Sequence, residues 1–261
     1  MRQSFERAFL DRHGKVAVVT LNHDATINAL SSQMVESLNA ALDVAQDATR
    51  ADDFRALILT GAGRGFCSGA DMNELADRRK EGAGLVLERL YHPLLRRLRD
   101  WPAPVVTAVN GPAVGIGMSL ALMGDLVVAS RSARFLASFA RIGLVPDGGL
   151  TYLLPRLVGV ARARELALLA DWLPAVQAQA WGMINSVAED SQLMDEAIGL
   201  ACRLADGPAA LPLARKLFWD ESYEAQLARE AAAQDQAGAT DDFAEGLAAY
   251  WEEREPRFGG R

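Results

Sequence analysis

Three glycine-containing turns hold the residues of this chain that are best suited to chemistry. They read GRGFCSGAD (Gly63 to Asp71), NGPAVGIGMSL (Asn110 to Leu120) and RIGLVPDGG (Arg141 to Gly149). Glycine permits positive φ angles and a close approach of a ligand to the backbone, so N–H groups in such turns can bind an anionic oxygen. Each turn taken alone is also typical of an ordinary connection between a strand and a helix.

The second and third turns each offer one chemically distinctive group. NGPAVGIG leads into a short apolar helix, so the N–H of Ile116 at its start is predicted to have no acceptor within that helix. Asp147 lies in a Pro-Asp-Gly-Gly sequence, where an aspartate commonly does no more than stabilise a turn. The first turn has neither the GxxxxGK[ST] pattern nor a GxGxxG at a helix start, which excludes a P-loop and a dinucleotide fingerprint.

Alternating strand and helix patterns must position these turns. The apolar runs VAVVTL, ALILT, PVVTAV and DLVVAS predict four buried strands. A helix is predicted after Ser31 and Ser32, a helix-rich stretch over about residues 73–99, and a short helix over 118–123. This order predicts a mostly parallel α/β sheet, which binds ligands at the carboxyl ends of its strands.

The last third of the chain has a different pattern. From Ala161 onward it is almost wholly helical and rich in alanine, and no strand is predicted there. We therefore predict a main α/β unit over residues 1–200 and a helical oligomerisation region over residues 201–261. These helices are expected to pack on the main unit or on neighbouring subunits.

Composition excludes several classes of function. The formal net charge of −7 argues against a nucleic-acid partner. No apolar run approaches the roughly 18 residues of a membrane span, and the first residues have no signal-peptide pattern. Cys67 and Cys202 have no paired spacing, which favours the cytoplasm, and three scattered histidines indicate no metal site.

Taken together and in order, the motifs resemble the enoyl-CoA hydratase/isomerase (crotonase) superfamily. The resemblance rests on INALSSQMVESL, GRGFCSGADMNEL, PAPVVTAVNGPAVGIGMSLALMGDLVVAS, FLASFARIGLVPDGGLTYLLPRLVG, AWGMINSV and FAEGLAAYWEEREPRFGG. GLVPDGG followed by LLPRLVG is most similar to the branch that isomerises ring-epoxide phenylacetyl-CoA and related enoyl-CoAs. The resemblance implies a spiral of ββα units, a homotrimer or homohexamer, and an acyl-CoA substrate. Coenzyme A is part of that substrate, so no cofactor is expected.

The resemblance also implies a set of site residues. The backbone N–H groups of Ala70 and Ile116 correspond to an oxyanion hole, and Asp147 to a catalytic acid/base. The residues expected to contact substrate are Ser68, Gly69, Ala70, Asp71, Met72, Gly115, Gly117, Ser119 and Phe139. Because this chain is acidic, the phosphates of coenzyme A need local basic groups, for which Arg64, Arg254 and Arg257 are candidates.

Two departures from the family pattern bear on the reaction. Family hydratases carry glutamates at two positions that are Ser119 and Phe139 here, so the two-glutamate hydration mechanism is not expected. We therefore expect an isomerase in which Asp147 is the single acid/base. The alternatives are a hydratase with relocated groups, a hydrolase or dehalogenase with Asp147 as nucleophile, and a catalytically silent CoA-binding subunit.

Overall fold

The computed structural model describes residues 2–51, 53–77 and 81–260. Within these residues the strands are β1 (Arg2–Phe5), β2 (Ala8–His13), β3 (Val16–Leu21), β4 (Ala56–Gly61), β5 (Val105–Val109), β6 (Ala113–Val114), β7 (Leu126–Ser130), β8 (Arg134–Leu136), β9 (Leu173–Pro174) and β10 (Ser186–Ala188). The helices are α1 (Ser32–Arg50), α2 (Met72–Asp77), α3 (Ala83–Val86), α4 (His92–Arg99), α5 (Ile116–Ala121), α6 (Leu150–Leu169), α7 (Ala175–Ala180), α8 (Leu193–Ala205), α9 (Leu211–Lys216), α10 (Ser222–Gly238) and α11 (Asp241–Trp251).

A seven-stranded sheet in the order β1-β2-β3-β4-β5-β7-β10 forms the centre of the fold. The pairs from β3 through β10 are parallel, and β1, β2 and β3 pair antiparallel. The four predicted strands match β3, β4, β5 and β7, and residues 78–80 of the predicted helix-rich stretch lie outside the described residues. Both β4 and β5 end where a glycine-containing turn begins, so their carboxyl ends bring the first two turns to the same edge of the sheet.

Helix α1 shows how local sequence sets an element of this fold. The Ser31 hydroxyl accepts a hydrogen bond from the Met34 N–H at 3.2 Å, which satisfies one of the unpaired donors at the helix start. The apolar residues at helical spacing form one buried face against the sheet: Met34, Val35, Leu38, Ala41, Leu42 and Ala45. Burial of such a face, and not propensity alone, stabilises a helix of this kind.

The prediction that no strand follows Ala161 was wrong. Ser186–Ala188 forms β10, which pairs with β7 at the edge of the central sheet, and Leu173–Pro174 forms β9 in a second, three-stranded sheet. Both segments are too short to show a strand period, and only the partner strand makes them extended. Helix α8 then packs its alanine-rich face on the same sheet. The predicted boundary at residue 200 falls inside α8, and the division into two regions stays a prediction.

Helix α6 is interrupted at Gly159, whose φ of 78° and ψ of 159° divide it into two segments. No helix of the described residues is long and apolar enough to cross a membrane. The same residues contain no group of three or more His, Cys, Asp and Glu side chains arranged to hold a metal ion.

Candidate active site

The three glycine-containing turns meet at one cavity. It is lined by Ser68, Gly69 and Ala70 of the first turn, by Met72 of α2, by Gly115 and Ile116 of the second turn, by Phe139, Leu144 and Asp147 around the third, and by Gln234 of α10. Apolar side chains of α2, α3 and the π-helical segment Leu87–Tyr91 form much of the remaining wall. The topology therefore brings most of the predicted site residues into contact with one space.

Two backbone N–H groups at the cavity have no hydrogen-bond acceptor among the described residues, and the carbonyls of their peptide groups are fixed by hydrogen bonds. The Gly69 carbonyl accepts from the Leu30 N–H at 2.7 Å, and the Gly115 carbonyl accepts from the Met118 N–H at 2.9 Å. In a planar trans peptide the N–H points away from the carbonyl, so these contacts orient the N–H groups of Ala70 and Ile116. Neither N–H donates to another residue in the described part of the chain.

Glycine is required where these two peptides approach each other. A Cβ on Gly69, whose φ is 98°, would lie 2.8 Å from the Val114 carbonyl oxygen. Gly115 has a φ of 54°, which allows the chain to turn directly into α5. The two N–H groups can therefore act as a preorganised oxyanion hole of the predicted type.

Asp147 is the carboxyl group of the cavity, and its side chain is only 5% exposed. Its Oδ2 accepts a hydrogen bond from Gln234 Nε2 at 2.7 Å. Its Oδ1 is buried and has no hydrogen-bond partner among the described residues. Burial raises the pKa of Asp147 to about 8, the Gln234 hydrogen bond opposes that rise, and the negative charge of Glu230 adds to it. A carboxyl with a pKa in this range can both accept and donate a proton near neutral pH.

The Ser119 side chain contacts the Asp147 backbone, and its role as a substrate contact stays a prediction. Its side chain is fully buried, and its hydroxyl donates a 2.8 Å hydrogen bond to the backbone carbonyl oxygen of Asp147. Ser119 is therefore not among the residues that line the cavity, and it supports the Asp147 backbone instead. Phe139 does line the cavity, where it makes the wall apolar.

Asp71 and Gly117 also lie outside the cavity lining. Asp71 Oδ1 accepts from the N–H groups of Asn73 and Glu74 at the start of α2, at 3.0 and 3.3 Å. A Cβ on Gly117 would lie 2.5 Å from the Cys67 carbonyl oxygen, so this glycine allows the second turn to pack on the first. Both residues support the backbone next to the cavity, and their roles as substrate contacts stay predictions.

The candidate phosphate-binding arginines lie on the surface with acidic neighbours. Arg64 Nε is 3.9 Å from Asp24 Oδ1, and its side chain is largely exposed. The Arg254 guanidinium forms ion pairs with Glu245 and Glu252. Arg257 donates its backbone N–H to Glu245, so the Glu245 carboxylate binds both the Arg254 side chain and the Arg257 backbone.

Sequence reasoning missed the contribution of α10. Gln226, Glu230 and Gln234 follow each other at four-residue spacing, which places them on one helix face. Glu230 accepts from the Gly149 N–H at 2.7 Å and from the Thr151 N–H at 3.0 Å, so it holds the chain directly after Asp147. Three polar residues in register within an alanine-rich helix were the available signal.

Cys67 lies within the first turn but is not a candidate nucleophile. It is fully buried, and burial raises the pKa of its thiol to about 12. The thiol therefore stays neutral at physiological pH, whereas nucleophilic attack requires the thiolate.

Comparison with known proteins identifies the family of this chain. The profile of the family described as enoyl-CoA hydratase/isomerase matches residues 11–261. A 1,2-epoxyphenylacetyl-CoA isomerase from Escherichia coli is 43% identical over 256 residues, covering 94% of this chain and 95% of the relative. A probable enoyl-CoA hydratase from Rhodobacter capsulatus is also 43% identical, with 94% of this chain and 95% of the relative covered.

Solved structures extend the agreement to the fold. An enoyl-CoA hydratase/isomerase from Pseudoalteromonas atlantica superposes with a TM-score of 0.85 at 31% identity, over 97% of this chain and 100% of that one. This confirms the predicted crotonase-like α/β fold with its helical C-terminal region. The chain belongs to the enoyl-CoA hydratase/isomerase family.

Proposed function

We propose that this protein is an enoyl-CoA isomerase that shifts a double bond from the β,γ to the α,β position, or performs the related reaction on ring-epoxide phenylacetyl-CoA. The observation that carries the proposal is that Asp147 is the only carboxyl group among the described residues that line the cavity. Isomerisation moves one proton between two carbons and needs a single acid/base. Hydration in addition needs a group that activates water.

The proposed reaction begins at the two backbone amides. The thioester carbonyl oxygen accepts hydrogen bonds from the N–H groups of Ala70 and Ile116, which makes the α proton more acidic. Asp147 removes that proton, and the negative charge of the dienolate spreads onto the oxygen held by the amides. Donors that are already oriented toward this oxygen stabilise it without a cost of reorganisation in the transition state.

The same carboxyl then completes the reaction by returning the proton to the γ carbon. One side chain can serve both carbons because they lie on one face of the substrate. The burial that raises the pKa of Asp147 to about 8 supports this role, since both forms of the carboxyl are populated near neutral pH. The proposed reaction needs no cofactor beyond the coenzyme A of the substrate.

The walls of the cavity favour an apolar acyl group. Met72, Leu75, Val86, Leu87 and Phe139 line it. Polar acyl substituents would lose hydrogen bonds to water on entering such a site. The name of the Escherichia coli relative, an isomerase of an aromatic epoxide acyl-CoA, is consistent with this preference.

The experiment that tests the proposal compares crotonyl-CoA with a β,γ-enoyl-CoA in D₂O. We expect rapid conversion of the β,γ isomer and slow addition of water to crotonyl-CoA, because Ser119 and Phe139 provide no base. The ultraviolet absorbance of the conjugated thioester follows double-bond position, and mass spectrometry of the products follows the addition of water and deuterium uptake. Hydration as fast as isomerisation would assign the protein to the hydratases, and an ester trapped on Asp147 would assign it a nucleophilic mechanism.

We also propose that the protein acts as a homotrimer or homohexamer. Leu213, Leu217 and Phe218, in and directly after α9, are 66%, 85% and 84% exposed, and large apolar side chains exposed close together often mark a protein–protein interface. We expect light scattering to give three or six times the chain mass of 28.1 kDa. The change Leu217→Asp with Phe218→Asp should produce smaller species, and Lys216→Asp in the preceding position is the control. A wild-type monomer at micromolar concentration would contradict the proposal.

A further inference from the structure

The side-chain amide of Gln234 has only one orientation that satisfies its neighbours. The backbone N–H of Val145 lies 3.2 Å from Gln234 Oε1, and Asp147 Oδ2 lies 2.7 Å from Gln234 Nε2. A backbone N–H can only donate, so the amide oxygen must face Val145. The amide nitrogen therefore faces Asp147 and donates to it. Gln234 is only 2% exposed, and burial holds this arrangement in place.

This orientation makes the two oxygens of Asp147 inequivalent. Oδ2 already receives a hydrogen bond from an N–H donor, so a proton on the carboxyl is favoured on Oδ1. Oδ1 is buried and has no partner among the described residues, although Asp147 lines the cavity. An orphaned polar atom of this kind is costly unless a ligand, water or proton transfer makes use of it.

We propose that Gln234 is a positioning residue that anchors Oδ2 of Asp147 and leaves Oδ1 as the oxygen that exchanges a proton with the substrate. The proposal rests on the isomerase function proposed above and adds a residue from the C-terminal helices to the site. Ser119 also fixes the position of Asp147, because its hydroxyl donates a hydrogen bond to the Asp147 backbone carbonyl oxygen. The backbone and one carboxyl oxygen are thus both fixed, and a single oxygen remains for chemistry.

The charged groups around Asp147 determine how its ionisation responds to pH. Glu230, on the same face of α10, is buried against Gly149 and Thr151, and its negative charge opposes ionisation of Asp147. Three further ionisable groups on the neighbouring elements have hydrogen-bond partners other than Asp147. Tyr91 on the π-helical segment donates to the Leu30 carbonyl oxygen, and Asp235 on α10 accepts from the Gly84 N–H. Arg141, on the segment before the third turn, donates to the Ala170 carbonyl oxygen.

Substitutions at Gln234 and Glu230 should shift ionisation of Asp147 in opposite directions. A donor to Oδ2 stabilises the carboxylate, so Gln234→Met should raise the pKa of Asp147, and Gln234→Glu should do the same through a second carboxyl group. Glu230→Gln removes a negative charge and should lower it. Since Asp147 must be ionised to take the α proton, kcat/KM should rise with pH around the Asp147 pKa, near 8 in the wild type.

The test measures kcat, KM and the pH profile of kcat/KM for a β,γ-enoyl-CoA. We expect Gln234→Met to lower kcat about ten- to hundred-fold with little change in KM, as for a lost hydrogen bond to a charged group. Its pH midpoint should move up, and that of Glu230→Gln should move down. Gln236→Met is the matched control: it changes an exposed glutamine of α10, away from the face that carries Glu230 and Gln234, so its profile should match the wild type.

Infrared titration gives a readout that needs no substrate. The carboxyl band that disappears in Asp147→Asn reports Asp147 directly, and its midpoint should move as described in each variant. Should Gln234→Met be poorly folded, Gln234→Glu keeps an oxygen for the Val145 N–H and provides the same upward shift. Unchanged midpoints in both Gln234 variants, or an equal shift in Gln236→Met, would overturn the inference. Absence of isomerase activity in the wild type would instead defeat the proposed function and leave the infrared result as the test of Gln234.

Discussion

Replacing Asp147 by asparagine is expected to lower isomerase turnover by about a hundred- to ten-thousand-fold, the usual contribution of a general acid/base. The amide fits the same place, because its oxygen can accept the Gln234 hydrogen bond that Oδ2 accepts now. The new NH₂ then occupies the position of Oδ1, where it can neither remove nor return a proton. Binding of an acyl-CoA should persist, since the amides of Ala70 and Ile116 are unchanged.

The measurement is single-turnover isomerisation beside calorimetric binding of a product enoyl-CoA. Thermal unfolding should show little loss of stability, because a carboxyl with a pKa of about 8 is already mostly neutral in the folded protein at pH 7. Asp190→Asn is a suitable control, as this carboxylate binds the Ser132 N–H and lines no part of the cavity. Turnover near that of the wild type in a preparation free of contaminating isomerase would remove Asp147 from the mechanism.

Replacing Ile116 by proline is the second change with a large expected effect. Proline has no N–H, and Ile116 is the first residue of α5, a position where proline fits the helix and costs no helical hydrogen bond. The substitution therefore removes one oxyanion donor, and the proline ring occupies the place of the lost hydrogen. We expect kcat/KM to fall by about a hundred- to a thousand-fold, as when a single donor of this type is removed elsewhere.

The control for this substitution is Ile116→Ala. The Ile116 side chain is buried, so both variants lose similar core packing, and a cost of about 2–5 kcal/mol in the free energy of unfolding is expected for each. Alanine retains the backbone N–H, however, and should retain most of the activity. Equal activities for the alanine and proline variants, measured at a temperature where both are folded, would show that this N–H does not contact the reacting oxygen.

Local sequence determined a large part of the central fold. The strands β3, β4, β5 and β7 are continuous apolar runs, and α1 combines a serine cap with a buried face at helical spacing. Each of these signals lies within a few residues along the chain, so it can be read before any long-range contact is known. The turns that follow β4 and β5 could likewise be assigned to one edge of a parallel sheet.

The strand β1 at the start of the chain and the short strands near its end were not predictable in this way. β1 is almost wholly exposed, and β10 has three residues, so neither presents a buried alternating pattern. They are extended because the neighbouring strand supplies hydrogen-bond partners. Such pairing depends on the whole sheet and leaves little trace in the segment itself.

The candidate site likewise combines features that are visible in the sequence with features that depend on tertiary packing. The glycine-containing turns and Asp147 are visible in the sequence as residue types, whereas the roles of Ala70 and Ile116 as oxyanion donors and of Asp147 as acid/base came from the resemblance to the family and stay predictions. Only the tertiary structure decided that Ser119 supports the Asp147 backbone and that Gln234, far along the chain, holds one of its oxygens. A hydrogen bond between residues 87 positions apart has no local signature, since it depends on where α10 packs. The turns and their carboxyl group can be read from the sequence, whereas the orientation and the pKa of Asp147 depend on how distant segments pack around it.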